Sequence, residues 1–214
     1  TNIGVPIDMN LDSEKFEIDN YSLNPKLWES PSINKISHFS KKNPNSNILY
    51  LHTKGVKSLL ERQNHFINIQ DWTDFMLYFM VEKYQKCIEK LNIDNNDTVG
   101  CNYHPHIDNT PHHWSGNFWW ANTDYLSTLP IINKLTKNID CEFWLFKNNP
   151  KYYEMYNSRV NHYYNPFHRN NYVPFEDKIK TKKIIDGFIF YNELDLLKYR
   201  LSILYKYVDH FIIV

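Results

Sequence analysis

Apolar positions follow two rhythms along this chain, and each switch between them marks an element. Trp72, Phe75, Met76, Phe79, Met80, Cys87, Ile88 and Leu91 recur at intervals of three and four, which predicts a long helix over 71–91 with one buried face. Asp71 stands at its N-cap position with Asp74 three residues on. Ile33, Ile36 and Phe39 follow Ser30-Pro31 and predict a short helix over 33–40. Between these lies a compact apolar run at 48–52, read as a strand. Further strands are expected at 2–7, 98–103 and 115–121, the last capped by Asn122 into a helix that stops at Pro130. Strands at 184–190 and 208–214 flank a helix over 193–206.

Two stretches carry no period. Residues 104–113 form a His- and Pro-rich loop, and 151–182 interleave tyrosines with Asn, His, Pro and Arg, reading as an ordered loop or connecting segment. Elsewhere strands and helices alternate. That order predicts an α/β fold built on a mostly parallel sheet with helices on both faces.

At 214 residues the chain can bury one sizeable core, and length does not favour two full domains. Its formal net charge is zero and its pI about 7.1, which argues against a dedicated nucleic-acid binder. Cys87, Cys101 and Cys141 are odd in number and lack CxxC spacing, so neither a disulfide framework nor a zinc knuckle is expected and a reducing, cytoplasmic compartment fits. No apolar run reaches the roughly 18 residues that a membrane span needs, and no signal-peptide pattern opens the chain. A chain that starts and stops in strands, with no tail, is expected to be an excised piece of something longer. Oligomeric state is not legible.

Four groups of residues have the chemistry of a site. The run at 48–52 ends in His52, Thr53, Lys54 and Gly55. Polar groups and a glycine at a strand's carboxyl end are how open α/β sheets build ligand crevices, and Lys54 suits an anion. A charge pair at about 4 Å contributes about 1 kcal/mol in water and about 4 kcal/mol at an effective dielectric near 20, so Lys54 matters only in a partly closed cleft. The competing reading is an exposed turn.

In His112-His113-Trp114-Ser115-Gly116-Asn117-Phe118-Trp119-Trp120-Ala121, Gly116 allows a sugar or nucleotide close to the backbone. Asn117 can bond hydroxyls and a tryptophan face can carry a pyranose ring, although tryptophans in a strand also simply fill cores. His104, His106, Asp108, His112 and His113 are metal-ligand types without a metal-site template; Asp108 alone can assist a substrate-bound divalent ion. Asp140 and Glu142 precede an apolar turn, where acids serve as caps or, for Glu142 between apolar neighbours, as a general base.

The segments around Trp28-Glu29-Ser30, 48–56, 71–79, 113–121 and Glu142-Phe143-Trp144-Leu145, above all YLHTKG and HWSGNFWWA, resemble glycosyltransferase-like domains of large DNA viruses of amoebae and of some bacteria. The resemblance covers roughly residues 1–165 and implies a Rossmann-like GT-A nucleotide-sugar-binding fold. Residues 166–182 would connect it to 183–214, where Phe188 to Leu197, Arg200-Leu201 and Val208 to Val214 look like the opening βαβ unit of a second, truncated domain similar to glycosyltransferase family 17. The implied reaction is hexosyl or N-acetylhexosaminyl transfer from a UDP- or GDP-linked donor to a hydroxyl of a glycan or glycoprotein. A viral protein of this kind would sit in host cytoplasm or the virion.

Where most GT-A enzymes carry Asp-x-Asp, this chain has His52-Thr53-Lys54, which leaves dependence on Mn or Mg open and gives the diphosphate to Lys54 and His52. Thr53, Gly55 and Ser115 join the substrate-binding set, Gly116 and Asn117 touch sugar, His113 and Trp114 shape the pocket, and Glu142 faces the acceptor. Two alternatives stand beside it: a non-catalytic carbohydrate-binding or scaffold module, and a metal-dependent hydrolase using the 104–113 loop.

Overall fold

The computed structural model describes residues 2–3, 20–22, 24–52, 66–107, 109–133, 138–174, 185–188, 197–198, 201 and 210–213. The chain divides into two compact units, residues 29–172 in one and 1–28 with 173–214 in the other. In the smaller, β1 (Asn2–Ile3) pairs in parallel with β2 (Asn20–Ser22). The rest of the strand expected at 2–7 lies outside the described residues.

The larger unit opens with α1 (Ser30–Lys42), which has Pro31 in its first turn and Lys41 and Lys42 in its last, where each residue type suits a helix end. The helix is longer than the expected 33–40, and its buried stripe is Ile33, Ser37 and Ser40, while Phe39 stays half exposed. Small serines on that stripe let the helix lie close to the chain leaving Leu129, whose carbonyl accepts from Ser37 Oγ at 3.5 Å. Next come β3 (Asn47–Tyr50) and α2 (Phe66–Leu77), which runs through a π-helical turn at Tyr78–Glu82 into α3 (Tyr84–Asn92).

Asp71 is therefore an interior residue of α2 and not its cap. Its carboxylate accepts from the Phe167 backbone N–H at 3.2 Å and lies 3.0 Å from His168 Nδ1.

β4 (Thr98–Gly100) stops early because Asn102 takes a left-handed conformation, φ 52°. The expected His/Pro loop is a hairpin, with β5 (Tyr103–His104) antiparallel to β6 (His113–Trp114). The single strand expected at 115–121 is broken: Gly116 (φ 96°) and Asn117 (φ 58°) make a turn, and only then does β7 (Trp119–Asn122) begin. Asn122 does cap α4 (Thr123–Thr128), accepting from Tyr125 N–H at 2.7 Å. The segment read as loop from 151 hides a strand, β8 (Tyr152–Glu154).

The sheet order is β3-β7-β4-β8. β7 is antiparallel to both neighbours, and only β4 with β8 is parallel, so the site-bearing sheet is mixed where a mostly parallel one was expected. The chain reverses at β7 because the β5–β6 hairpin returns it to the edge it left, replacing the crossover that parallel strands require.

Helices do cover both faces. Tyr50, Trp119 and Ala121 point to a core with Ile33, Tyr125, Leu126, Leu129, Trp144 and Leu145. Trp120 points the other way, and its indole donates to the Met80 carbonyl at 2.7 Å inside the π-helical turn. In the smaller unit β9 (Ile185–Phe188) and β10 (His210–Ile213) pair in parallel, with helical residues at 197–198 and 201 between them; the remainder of the helix expected at 193–206 lies outside the described residues.

Candidate functional site

Strand direction decides what meets what. β3, β4 and β8 run the same way and β7 opposes them, so three carboxyl ends and the start of β7 share one edge of the sheet. Tyr50 lies opposite Trp119 in the register. Continuing two residues from each brings His52 onto the Gly116–Asn117 turn: His52 Nε2 is 3.1 Å from the Gly116 carbonyl, and its ring sits edge-on to Phe118 at 5.3 Å.

Glu29 holds this junction together. It occupies the N-cap position of α1 without capping it. Its Oε2 accepts instead from the Tyr50 hydroxyl at 3.0 Å and from Asn117 Nδ2 at 2.6 Å, while Oε1 lies 3.4 Å from His52 Nδ1. Asn117 Oδ1 in turn accepts from the Trp119 indole at 3.0 Å. Both ring nitrogens of His52 thus face acceptors, a carbonyl and a carboxylate. A doubly protonated ring satisfies both, and a neutral ring satisfies one. Burial first, and then the Glu29 charge and hydrogen bond, push the Tyr50 phenol well above its ordinary value, which keeps it a donor.

The turn itself is sterically specified. A Cβ on Gly116 would run into the Met76 sulfur and approach the Trp72 ring, in a backbone conformation that L side chains rarely adopt. Tyr163, half exposed, stands edge-on to Trp72 at 5.1 Å. Glu142 is partly buried, and its charge acts on the Tyr50, Cys141 and Tyr163 side chains, adding to the burial that raises all three pKa values; the Cys141 thiol, after burial and Glu29, stands at about 12.

Sequence-derived residues therefore separate into groups. His52, Gly116 and Asn117 come together, and Glu142 is electrostatically coupled to the same cluster. Thr53, Lys54, Gly55 and Asp108 lie outside the described residues. Asn117 is 2% exposed and its amide bonds Glu29 and Trp119, so here it positions the carboxylate. Trp114 does not shape a pocket: it is buried flat against Gly100, where a Cβ would collide with its ring, and its indole donates to Thr98 Oγ1 at 3.2 Å. Ser115 is half-buried, its N–H on the Asn102 carbonyl at 3.0 Å. His113 is buried, with Nδ1 2.8 Å from the Pro111 carbonyl and its ring stacked on His104 at 4.8 Å; burial lowers its pKa.

His112 Nδ1 lies 2.5 Å from the Tyr103 hydroxyl, and His104 Nδ1 2.8 Å from the Pro105 carbonyl. Among the described residues no group of three or more His, Cys, Asp or Glu side chains is arranged to hold a metal ion. The three cysteines are buried free thiols, and among the described residues no helix is long and apolar enough to cross a membrane.

Sequence reasoning missed Glu29 and Tyr50 as site residues. The available signal was local: Glu is a poor N-cap, and one placed directly before Ser30-Pro31 has another task.

A cleft of about 380 Å³ is lined by Pro111, His112, Ile132, Asp140, Phe143, Phe146 and Lys147. The family model described as Domain of unknown function (DUF8361) matches residues 9–171, and the chain belongs to that family. No curated protein and no solved structure matches the chain.

Proposed function

We propose that this DUF8361 member is a GT-A-like glycosyltransferase moving a hexosyl or N-acetylhexosaminyl group from a UDP- or GDP-linked donor to a hydroxyl of a glycan or glycoprotein. The observation that carries the reading is the His52–Gly116 contact at 3.1 Å. It joins the two motifs behind the glycosyltransferase resemblance at the carboxyl edge of one sheet, where α/β folds place ligands. Around it stand a carboxylate clamp, a turn whose glycine excludes a side chain, and a second carboxylate, Glu142.

In this reading His52, held by Glu29, and Lys54 from the adjoining segment offset the negative charge that grows on the departing nucleoside diphosphate. The bond from sugar carbon to phosphate oxygen breaks as the bond from that carbon to the acceptor oxygen forms. The acceptor proton passes to the Glu142 carboxylate. Asn117 and Tyr50 act through Glu29 as positioning residues. A divalent cation, Mn or Mg, would supply further charge neutralisation on the diphosphate; no described residue is assigned to it.

The test is donor turnover and thermal stabilisation across UDP- and GDP-sugars, since a ligand that binds only the native state raises its stability. Wild type is expected to be stabilised by one of these donors and to release its nucleotide. Lys54→Met and His52→Ala are expected to abolish turnover while still folding. Turnover at the wild-type rate in Lys54→Met removes the assignment, and stabilisation by oligosaccharides with none by any nucleotide sugar supports a binding module in its place.

A further inference from the structure

None of the described residues assigned to the donor lines the cleft of about 380 Å³, which shares the 138–147 segment with Glu142. Within the tight turns at Asn138–Cys141 and Trp144–Phe146, successive side chains serve different neighbours. Cys141 is buried beside Glu29, and Glu142 acts on Tyr50. Asp140, Phe143, Phe146 and Lys147 line the cleft. Glu142 therefore lies in sequence between a residue buried beside Glu29 and a residue of the cleft wall, and its charge reaches Tyr50.

The lining is chemically selective. Its volume is at the small end of the roughly 300–1,000 Å³ that ligand clefts span, room for roughly one or two sugar rings. Phe143 and Phe146 offer apolar ring surface to the C–H face of a pyranose. Asp140 and Lys147 bring one charge of each sign, so the cleft attracts neither anions nor cations on balance and a diphosphate would meet a carboxylate. His112 adds an imidazole whose orientation is fixed through Nδ1 by the Tyr103 hydroxyl. A neutral polyol uses every one of these groups: donors to Asp140, acceptors for Lys147, and a ring face for the phenylalanines.

We infer that this cleft binds neutral sugar rings and is the acceptor subsite of the transfer, placing the accepting hydroxyl on the Glu142 side. The acceptor role rests on the transferase reading; sugar binding in the cleft does not.

The experiment is saturation-transfer NMR on the full 214-residue chain with maltose, cellobiose, mannobiose and N,N′-diacetylchitobiose, alongside UDP-glucose and GDP-mannose. At least one disaccharide is expected to bind, and Phe143→Ala and Lys147→Ala each to weaken it about tenfold or more, a loss of about 1.4 kcal/mol, with nucleotide-sugar binding unchanged. Lys147 is exposed, so its replacement reads the cleft even where Phe143→Ala fails to fold. Disaccharide affinity unmoved by Lys147→Ala, or absence of binding by all four, overturns the inference. So does loss of nucleotide-sugar affinity in Lys147→Ala, which would make this the donor site. Disaccharide binding that is lost in Lys147→Ala, combined with no binding of any UDP- or GDP-sugar in the donor screen, supports the sugar cleft and removes the transferase.

Discussion

Two histidines, His52 just beyond β3 and His162 bonded to the chain beyond β4 and β8, serve strands that run the same way in the sheet, and they do different work. His162 is 3% exposed, stacked on Trp72 at 5.4 Å and against Phe75, and its Nε2 is shared between Asn102 Nδ2 at 3.0 Å and Ser158 Oγ at 2.8 Å. Asn102 also accepts from the Ser158 N–H at 2.8 Å. These contacts, inside an aromatic box, pin the irregular chain after β8 to the end of β4.

His52 keeps 17% of its side chain accessible and faces a carboxylate and a carbonyl. Both side chains that meet His162 Nε2, Asn102 and Ser158, carry no charge, so this contact is made without an ionised partner. A charged partner at a half-open strand end costs desolvation that a purely structural contact does not require. Under the proposed transferase reading, the contrast puts chemistry at β3 and architecture at β4.

The comparison breaks most sharply at Glu29. Glu29→Ala leaves the Tyr50 hydroxyl and the Asn117 amide without their shared acceptor, at a stability cost on the order of 3 kcal/mol. It also frees His52 from its carboxylate, and donor turnover is expected to fall at least about a hundredfold, which corresponds to about 2.7 kcal/mol. Glu29→Gln separates the two effects. The isosteric amide keeps most of the stability and loses the charge, so a melting temperature close to wild type with turnover still lost identifies an electrostatic role. Wild-type turnover in Glu29→Gln would reduce the cluster to a packing device.

At the other histidine the expectation inverts. His162→Ala removes a ring packed among Trp72, Phe75 and Phe167 and exposes the Asn102–Ser158 pair, costing about 3 kcal/mol by denaturant unfolding. Donor affinity measured at a temperature where the variant is folded is expected to stay unchanged. A variant that loses donor affinity while remaining folded would show that the β4 end also belongs to the site.

How far such differences were readable in the amino-acid order depends on the length scale of the signal. The helical stripe from Trp72 to Leu91 and the Asn122 cap are local and dense, and both hold. Asp71 misled because α2 begins earlier, at Phe66, and Asp71 serves a partner at Phe167, a distant residue that no local pattern reveals. β8 was hidden because three residues are too few for a period of two to stand out among tyrosines. The aromatic run at 113–121 read as one strand, although Gly116-Asn117 is a turn signal; the aromatic content outweighed it.

Alternation of strands and helices pointed to a mostly parallel sheet, but connectivity through the β5–β6 hairpin, a two-residue ladder, set the direction of β7. Within the site, His52 and Gly116 were legible because a strand end and a close-approach glycine are local features. Glu29 was not, since its role depends on the three side chains that converge on it.

The gentlest way to sharpen the comparison uses a third histidine, the buried His113, which burial holds below the ordinary value of 6.5; the Pro111 carbonyl works against that shift and His104 and His112 add to it. Because the folded ring resists the proton, the unfolded chain takes it up first as pH falls through 6.5. The net effect is that stability is full above that value and declines below it, until the folded state titrates as well. Replacing His113 by Gln removes this contribution, so the melting temperature of the variant should fall less steeply than that of wild type between about pH 7.5 and 5.5. Donor affinity at the upper end of that range should be equal in the two proteins, because His113 bonds to Pro111 and stacks on His104 without touching the Glu29 cluster. A parallel slope in both proteins would mean that the ring is as easily protonated folded as unfolded. A pH-dependent gap in donor affinity would instead tie the hairpin to the strand end, and the division between a chemical edge at β3 and a structural surround would have to be redrawn to include β6.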